Sequence, residues 1–338
     1  MSNIICDLMS RGRGPDGTVT IRSILQKMRK HAPRLWILRR IRRLWWGLRM
    51  QANDGVCSVE IANRHVGFFA QMNWCLYIFQ HCERHGVIPD IRLTGDVYLD
   101  PDRGPSWFDY FFDARNPMDP EERAKRVRYT KRILDLVDLG TPFGAYLNID
   151  DAARILHKFI RSKPHIVKIV NQFWGTCGAN GSVVGVHFRG TDKSWEAPRV
   201  SWNHCLTTLQ RHLRDRPDIW AIFVASDEKA FIQFVANSVK DRPVYWRDDY
   251  YRSSDGRPIH TTSREVGGYE KGEDALVNAM LLSKCSTLIR TTSFLSAWAS
   301  IFNPTLKVIL LNKPYDQFLW FPESEILRKC DTEYVPEI

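Results

Sequence analysis

Between residues 183 and 311 the chain alternates short β-branched runs with longer stretches of helical periodicity, and this alternation limits its fold more than any other feature. Strand-like runs fall at 183–188, 220–225, 243–246, 286–290 and 307–311, and helix-like ones at 201–214, 228–238, 273–284 and 294–302. The pattern predicts a doubly wound α/β sheet. In such sheets ligands bind outside the carboxyl ends of the strands, so the loops that begin near Arg189, Ser226, Trp246, Thr291 and Asn312 become candidates. The polar, glycine-bearing stretch 247–272 is too long for a simple connection and is expected to form a substrate loop.

Ahead of this region, 55–145 reads as an apolar run, a turn at Gly67, a helix over Phe68–His85 and a strand at Ile91–Leu93. A loop rich in aromatics follows, then a basic helix near Glu121–Val137 with Pro142 beyond it. Residues 150–174 read as helix, broken or kinked at Pro164, with Asp150 or Asp151 as its N-cap. A chain of 338 residues is expected to hold two domains around one cleft. The organisation read from the sequence is an arm over 1–50, an α/β domain with a linking helix over 51–175, and a second α/β domain over 176–338.

The net charge of +10 belongs to the arm. Residues 1–50 carry 12 of the 48 Lys and Arg but only 2 of the 38 Asp and Glu, so the rest of the chain has 36 of each sign. Within the arm, Ile37, Ile41, Leu44 and Leu48 form one helical stripe while Arg39 and Arg43 point the opposite way. A helix over 34–49 would be about 24 Å long, too short and too charged to span a bilayer. It either lies on an anionic membrane surface or packs on the body or a partner subunit. The eight Cys form no CxxC pair and read as reduced, mostly buried thiols. With no signal-peptide pattern and no long apolar run, the expected location is the cytoplasm, peripheral on the inner membrane surface.

The strand at 183–188 runs into His187-Phe-Arg189-Gly-Thr-Asp192-Lys193-Ser-Trp-Glu196, which gathers two cations, two carboxylates and an imidazole at a ligand end. An Arg fork suits bidentate phosphate recognition and a Lys suits charge on a leaving phosphate. A solvated turn in which Arg189, Asp192 and Lys193 pair with one another fits the composition equally well. No phosphate-binding glycine loop or dinucleotide fingerprint is present, and no His, Cys or acidic spacing reads as a metal site.

Three segments carry a resemblance: His187-Phe-Arg-Gly-Thr-Asp-Lys193, Phe223-Val-Ala-Ser-Asp227, and Ala275 through Arg290 followed by Ser293. In order and spacing they resemble the three motifs of the alpha-1,6-fucosyltransferases, most nearly the bacterial nodulation-factor enzymes, over roughly 180–312. The resemblance implies two Rossmann-like domains in a GT-B-like arrangement, with GDP-fucose held by the C-terminal one. It implies inversion at the sugar carbon, no metal and no further cofactor; an oligosaccharide or glycolipid acceptor is the expectation that agrees with a membrane-seeking arm. Arg189 would hold the donor pyrophosphate with His187 near the guanine, Lys193 would assist at the leaving diphosphate, and Asp227 and Ser293 would line the donor cleft.

The chain departs from the family at three points, one of which is that the candidate catalytic carboxylate, Glu196 beside Ala197, lies one position off the family's spacing. Gly190 stands where eukaryotic members have a second Arg, and Asn278 stands where an acidic residue contacts the base. An Asn offers one carbonyl oxygen to guanine's two donors where an Asp offers two. For the proton of the acceptor hydroxyl, Glu196 is the candidate base and Asp192 its rival. Two other readings follow from the same residues: a non-catalytic nucleotide- or glycan-binding protein of this fold, and a transferase using another nucleotide sugar. A nucleic-acid binder acting through the arm is disfavoured by the balanced body.

Overall fold

The structure, a computed structural model, describes residues 55–62, 66–125, 129–130, 147–190, 196–248, 267–329 and 331–337. The expected helix at 34–49 and the candidates Asp192 and Lys193 lie outside the described residues. From Val56 to Ile338 the chain forms one compact unit.

The unit opens with strand β1 (Val56–Ile61), helix α1 (Phe68–His85) and strand β2 (Ile88–Leu93). Helix α1 is apolar almost all round and is accordingly buried from Phe68 to Cys82. It ends where Gly86 takes a φ of 64° and turns its N–H back to the carbonyls of Cys82 and Glu83. Next come α2 (Phe108–Phe111), β3 (Phe112–Ala114), α3 (Pro120–Lys125) and β4 (Tyr129–Thr130). Strands β2, β1 and β4 make a parallel sheet in that order. The expected helix over Glu121–Val137 is therefore wrong at Tyr129–Thr130, where pairing with β1 overrides the local helical pattern.

Helix α4 (Ile149–Phe159), strand β5 (Ile160–Ser162) and helix α5 (Pro164–Cys177) replace the single expected helix. Pro164 does break it, since it occupies the first turn of α5, where its missing N–H costs nothing. The cap of α4 is Asn148, whose side chain accepts the N–H of Asp151; Asp150 and Asp151 lie inside the first turn, where the helix dipole favours them.

The second sheet is built from β6 (Ser182–Phe188), α6 (Trp202–Asp215), β7 (Ile219–Ser226), α7 (Lys229–Ser238), β8 (Val244–Tyr245), α8 (Gly268–Lys284), β9 (Thr287–Arg290), α9 (Phe294–Phe302), β10 (Lys307–Leu310), α10 (Glu323–Arg328) and β11 (Thr332–Tyr334). Its six strands are parallel in the order β11-β10-β9-β6-β7-β8. The chain steps outward from β6 to β8, returns to the other side at β9 and steps outward again. The direction of progression reverses between β6 and β9.

Helices cover both faces. On one, Val184, Val186 and Phe188 pack with Cys205 and Leu209 of α6 and with Phe231 and Val235 of α7. On the other, Gly185 lies against Leu282 and Cys285 so closely that a Cβ would meet the sulfur at 3.0 Å. Side chains alternate along a strand, so His187 shares the Gly185 face. Helix α8 starts at Gly268 instead of Glu273, which shortens the expected loop. Its first turns press backbone against Leu99 and the Phe111 ring, where a side chain at Gly268 or Gly272 would not fit. Across the unit, Asn73 of α1 accepts the indole N–H of Trp298 at 2.7 Å and donates to the carbonyl of Phe321 at 2.8 Å, tying α1 to α9. The six described Cys are free and buried, as read from the sequence.

Candidate anion-binding site

The reversal between β6 and β9 leaves a crevice at their carboxyl ends, because the loops that leave the two strands run in opposite directions. His187 and Arg290 are paired across this boundary. One residue further, the N–H of Arg189 donates to Thr291 Oγ1 at 2.9 Å, and the N–H of Thr291 donates to the carbonyl of His187 at 3.1 Å. These two bonds fix the backbone from which the Arg189 side chain projects.

The guanidinium of Arg189 stands 4.0 Å from the carboxylate of Asp227, which follows β7, and both side chains are largely buried. Arg189 also acts on Tyr98. Burial pushes the Tyr98 hydroxyl up to about 12, with the Phe68 N–H and the Arg189 charge pulling it down. That hydroxyl accepts the N–H of Phe68 at 2.9 Å, so Arg189 is within electrostatic reach of the N-terminus of α1, where Gly67 supplies no side-chain cap. An Arg whose backbone is fixed at a switch point is an environment for an anion.

His187 is buried, and burial, followed by the charges of Arg290 and Arg189, lowers its pKa to about 3. It is a neutral imidazole at physiological pH, and its Nδ1 has no hydrogen-bond partner among the described residues. Ser293 sits at the N-cap of α9 in extended conformation. Its N–H is taken by Glu323 at 3.1 Å, while its hydroxyl is buried and unpaired among the described residues. Of the groups Ser293 itself brings to an anion, the hydroxyl is the one left over.

The neighbouring loops are laced to this turn. Thr292 donates its N–H to Asn312 Oδ1 at 2.7 Å, and Asn312 donates its amide to the carbonyl of Pro198 at 2.7 Å. Glu196 is buried on that same loop, with its carbonyl accepting the N–H of Tyr315 at 2.8 Å. Asn278 lies on α8, where its amide nitrogen donates to the carbonyl and the carboxylate of Asp274 at 2.9 and 2.8 Å. Both partners are acceptors, which fixes the amide's orientation and leaves the buried Asn278 oxygen unpaired among the described residues. The structure thus gathers His187, Arg189, Asp227 and Ser293 about the ends of β6, β7 and β9. Glu196 is set against the β10 loop and Asn278 along α8.

Gly190 lies against a flexible side chain. A Cβ there would collide with the carboxylate of Glu228 and come within 3.0 Å of the Phe188 ring. Glu228 accepts the indole N–H of Trp202 at 3.2 Å, and burial followed by repulsion from Asp227 raises its pKa. Sequence reading missed Glu228 and two other charged groups. Arg247, at the ligand end of β8, is buried 3.8 Å from both Glu273 and Asp274, and the flagged loop at Trp246 was a signal for it. Glu323 had none, being 33 residues from the Arg290 it pairs with. Among the described residues no group of three or more His, Cys, Asp or Glu is arranged to hold a metal ion.

No family model matches the chain, and no curated protein is significantly similar to it. Solved structures do match. A NodZ alpha-1,6-fucosyltransferase soaked with GDP-fucose is 16% identical over 77% of this chain and 99% of its own, at a TM-score of 0.49. POFUT1 in complex with GDP is 10% identical over 76% and 97%, at 0.47. The fucosyltransferase NodZ from Bradyrhizobium is 16% identical over 74% and 94%, also at 0.47.

Proposed function

We propose that the protein is an inverting, metal-independent glycosyltransferase that moves fucose from GDP-fucose to an oligosaccharide or glycolipid acceptor. The residues would be divided between two Rossmann-like domains in a GT-B-like arrangement, with the donor on the second. The single observation that carries this reading is Arg189 at the β6/β9 switch point, its backbone N–H held by Thr291 and its guanidinium 4.0 Å from Asp227. It joins the geometry of an anion crevice to the ordered motifs read from the sequence.

In this reading Arg189, the unpaired hydroxyl of Ser293 and Lys193 meet the diphosphate, and neutral His187 with the Asn278 oxygen meets the base. Asp227 holds the Arg189 fork. Glu196, or its rival Asp192, takes the proton of the acceptor hydroxyl as that oxygen bonds to the sugar carbon and GDP leaves from the opposite face. The fixed positive charges of Arg189 and Lys193 stabilise the negative charge that develops on the leaving diphosphate. The arm at 34–49 would bring the enzyme to an anionic membrane surface where a glycolipid acceptor resides.

The test is a thermal-shift comparison of GDP, UDP and dTDP sugars followed by transfer assays. A GDP sugar at a hundred times its Kd is expected to stabilise the protein by about 2.7 kcal/mol. Arg189→Ala is expected to stay folded, lose at least about tenfold in GDP affinity and abolish transfer. Chelators are expected to leave transfer intact. Full activity in Arg189→Ala, or no response to any GDP ligand, removes the reading.

A further inference from the structure

We propose that the buried Arg290–Glu323 pair is the positioning element of the anion-binding turn, with Glu323 of α10 holding Ser293 and, through it, Arg189 in register for a phosphate. The proposal rests on the donor-site reading above. Both side chains are essentially fully buried, at 0% and 1% exposure. Burying an ion pair adds little to stability, because packed apolar side chains of similar volume do as well or better. The contribution of this pair is geometric.

Glu323 accepts Arg290 Nη1 at 3.2 Å through one oxygen, and Arg290 Nη2 together with the Ser293 N–H through the other. Arg290 in turn donates Nε to Ser296 Oγ at 2.9 Å and Nη2 to the Ser293 carbonyl at 3.2 Å. Ser293 is therefore held at its N–H by the carboxylate and at its carbonyl by the guanidinium. Its hydroxyl alone stays unpaired among the described residues. Two residues back, in the same turn, Thr291 holds the Arg189 backbone. A pair with no net charge thus orders two phosphate-seeking groups without competing for the phosphate.

The experiment replaces the pair by apolar residues of similar size, Arg290→Met with Glu323→Leu in one protein. It measures urea unfolding and calorimetric affinity for GDP and for inorganic pyrophosphate, and places Ser293→Ala in both backgrounds. The double variant is expected to fold, to lose no more than about 1–3 kcal/mol because the Ser293 N–H is left without its acceptor, and to bind both ligands about tenfold more weakly or worse. Ser293→Ala is expected to weaken binding in the parent and to add nothing in the double variant. A folded double variant with parental affinity overturns the proposal, as does an equal Ser293→Ala effect in both backgrounds. Should the double variant not fold, Glu323→Gln, assayed below its Tm, is expected to show the same loss, and unchanged affinity there overturns the proposal. A parent protein that binds neither GDP nor pyrophosphate removes the donor-site reading itself, a result visible before any variant is made.

Discussion

At the scale of single residues, His187 makes the least compromising demand. Its imidazole is buried beside two guanidinium groups, and its pKa falls from an ordinary 6.5 to about 3. The unfolded chain binds a proton there below about pH 6.5 and the folded protein does not, so stability is complete above that pH and is lost as the pH drops toward 3. Between pH 7 and pH 5 this one group removes about 2 kcal/mol of unfolding free energy. His81, lowered to about 4 by burial and its cationic neighbours, acts with the same sign. Urea titrations at the two pH values should show the loss, and His187→Asn should remove the larger part of it. A slope unchanged by that substitution would mean that His187 is not the neutral, buried group described here.

Among the elements, helix α8 shows where sequence and structure part company. Its body from Glu273 onward follows from periodicity, but its first five residues include two glycines, Gly268 and Gly272, which local propensity assigns to a loop. Tertiary packing decides otherwise, since the glycines let the helix approach Leu99 and Phe111 closely. Gly272→Ala should gain up to about 1 kcal/mol of helix propensity, yet drive a methyl to 2.6 Å from the Phe111 ring. Overpacking of that kind costs about 1–3 kcal/mol, so net destabilisation is expected, and Phe111→Leu in the same chain should recover part of it. Equal or higher stability of Gly272→Ala by urea unfolding would contradict the close packing. Strands β6, β7, β9 and β10 and helices α1, α6, α7 and α9 were legible because each carries its own period. Strand β4 was not, because two residues show no period and pair only in three dimensions. Of the candidate residues, Arg189 could be placed from the strand it follows and Ser293 only through the family resemblance, whereas the contacts of Glu323 and Glu228 are concealed by sequence distance.

On the scale of the whole molecule, charge and core are carried by different parts of the chain. The surplus of positive charge lies within residues 1–50, while the compact unit begins at Val56. No helix of the described residues is long and apolar enough to cross a membrane. Attachment to a bilayer, if the arm provides it, must therefore come from apolar residues such as Ile37, Leu44 and Leu48 at the interface and from arginines near anionic lipid, each worth about 1 kcal/mol close to the surface. Four arginines at 39, 40, 42 and 43 then contribute on the order of 4 kcal/mol, a factor of nearly a thousand in partitioning, and screening by salt should erode it. Sedimentation with vesicles of phosphatidylserine and phosphatidylcholine is the appropriate measurement. The full chain is expected to bind these and to release at high ionic strength, and to ignore vesicles of phosphatidylcholine alone. Deleting residues 1–50 should abolish vesicle binding while leaving GDP affinity unchanged, because every residue proposed for the donor site lies after Val56 in the sequence. Retained binding in the truncated protein would move the membrane contact to the body. Loss of GDP affinity on truncation would instead show that the arm packs against the unit it was expected only to tether.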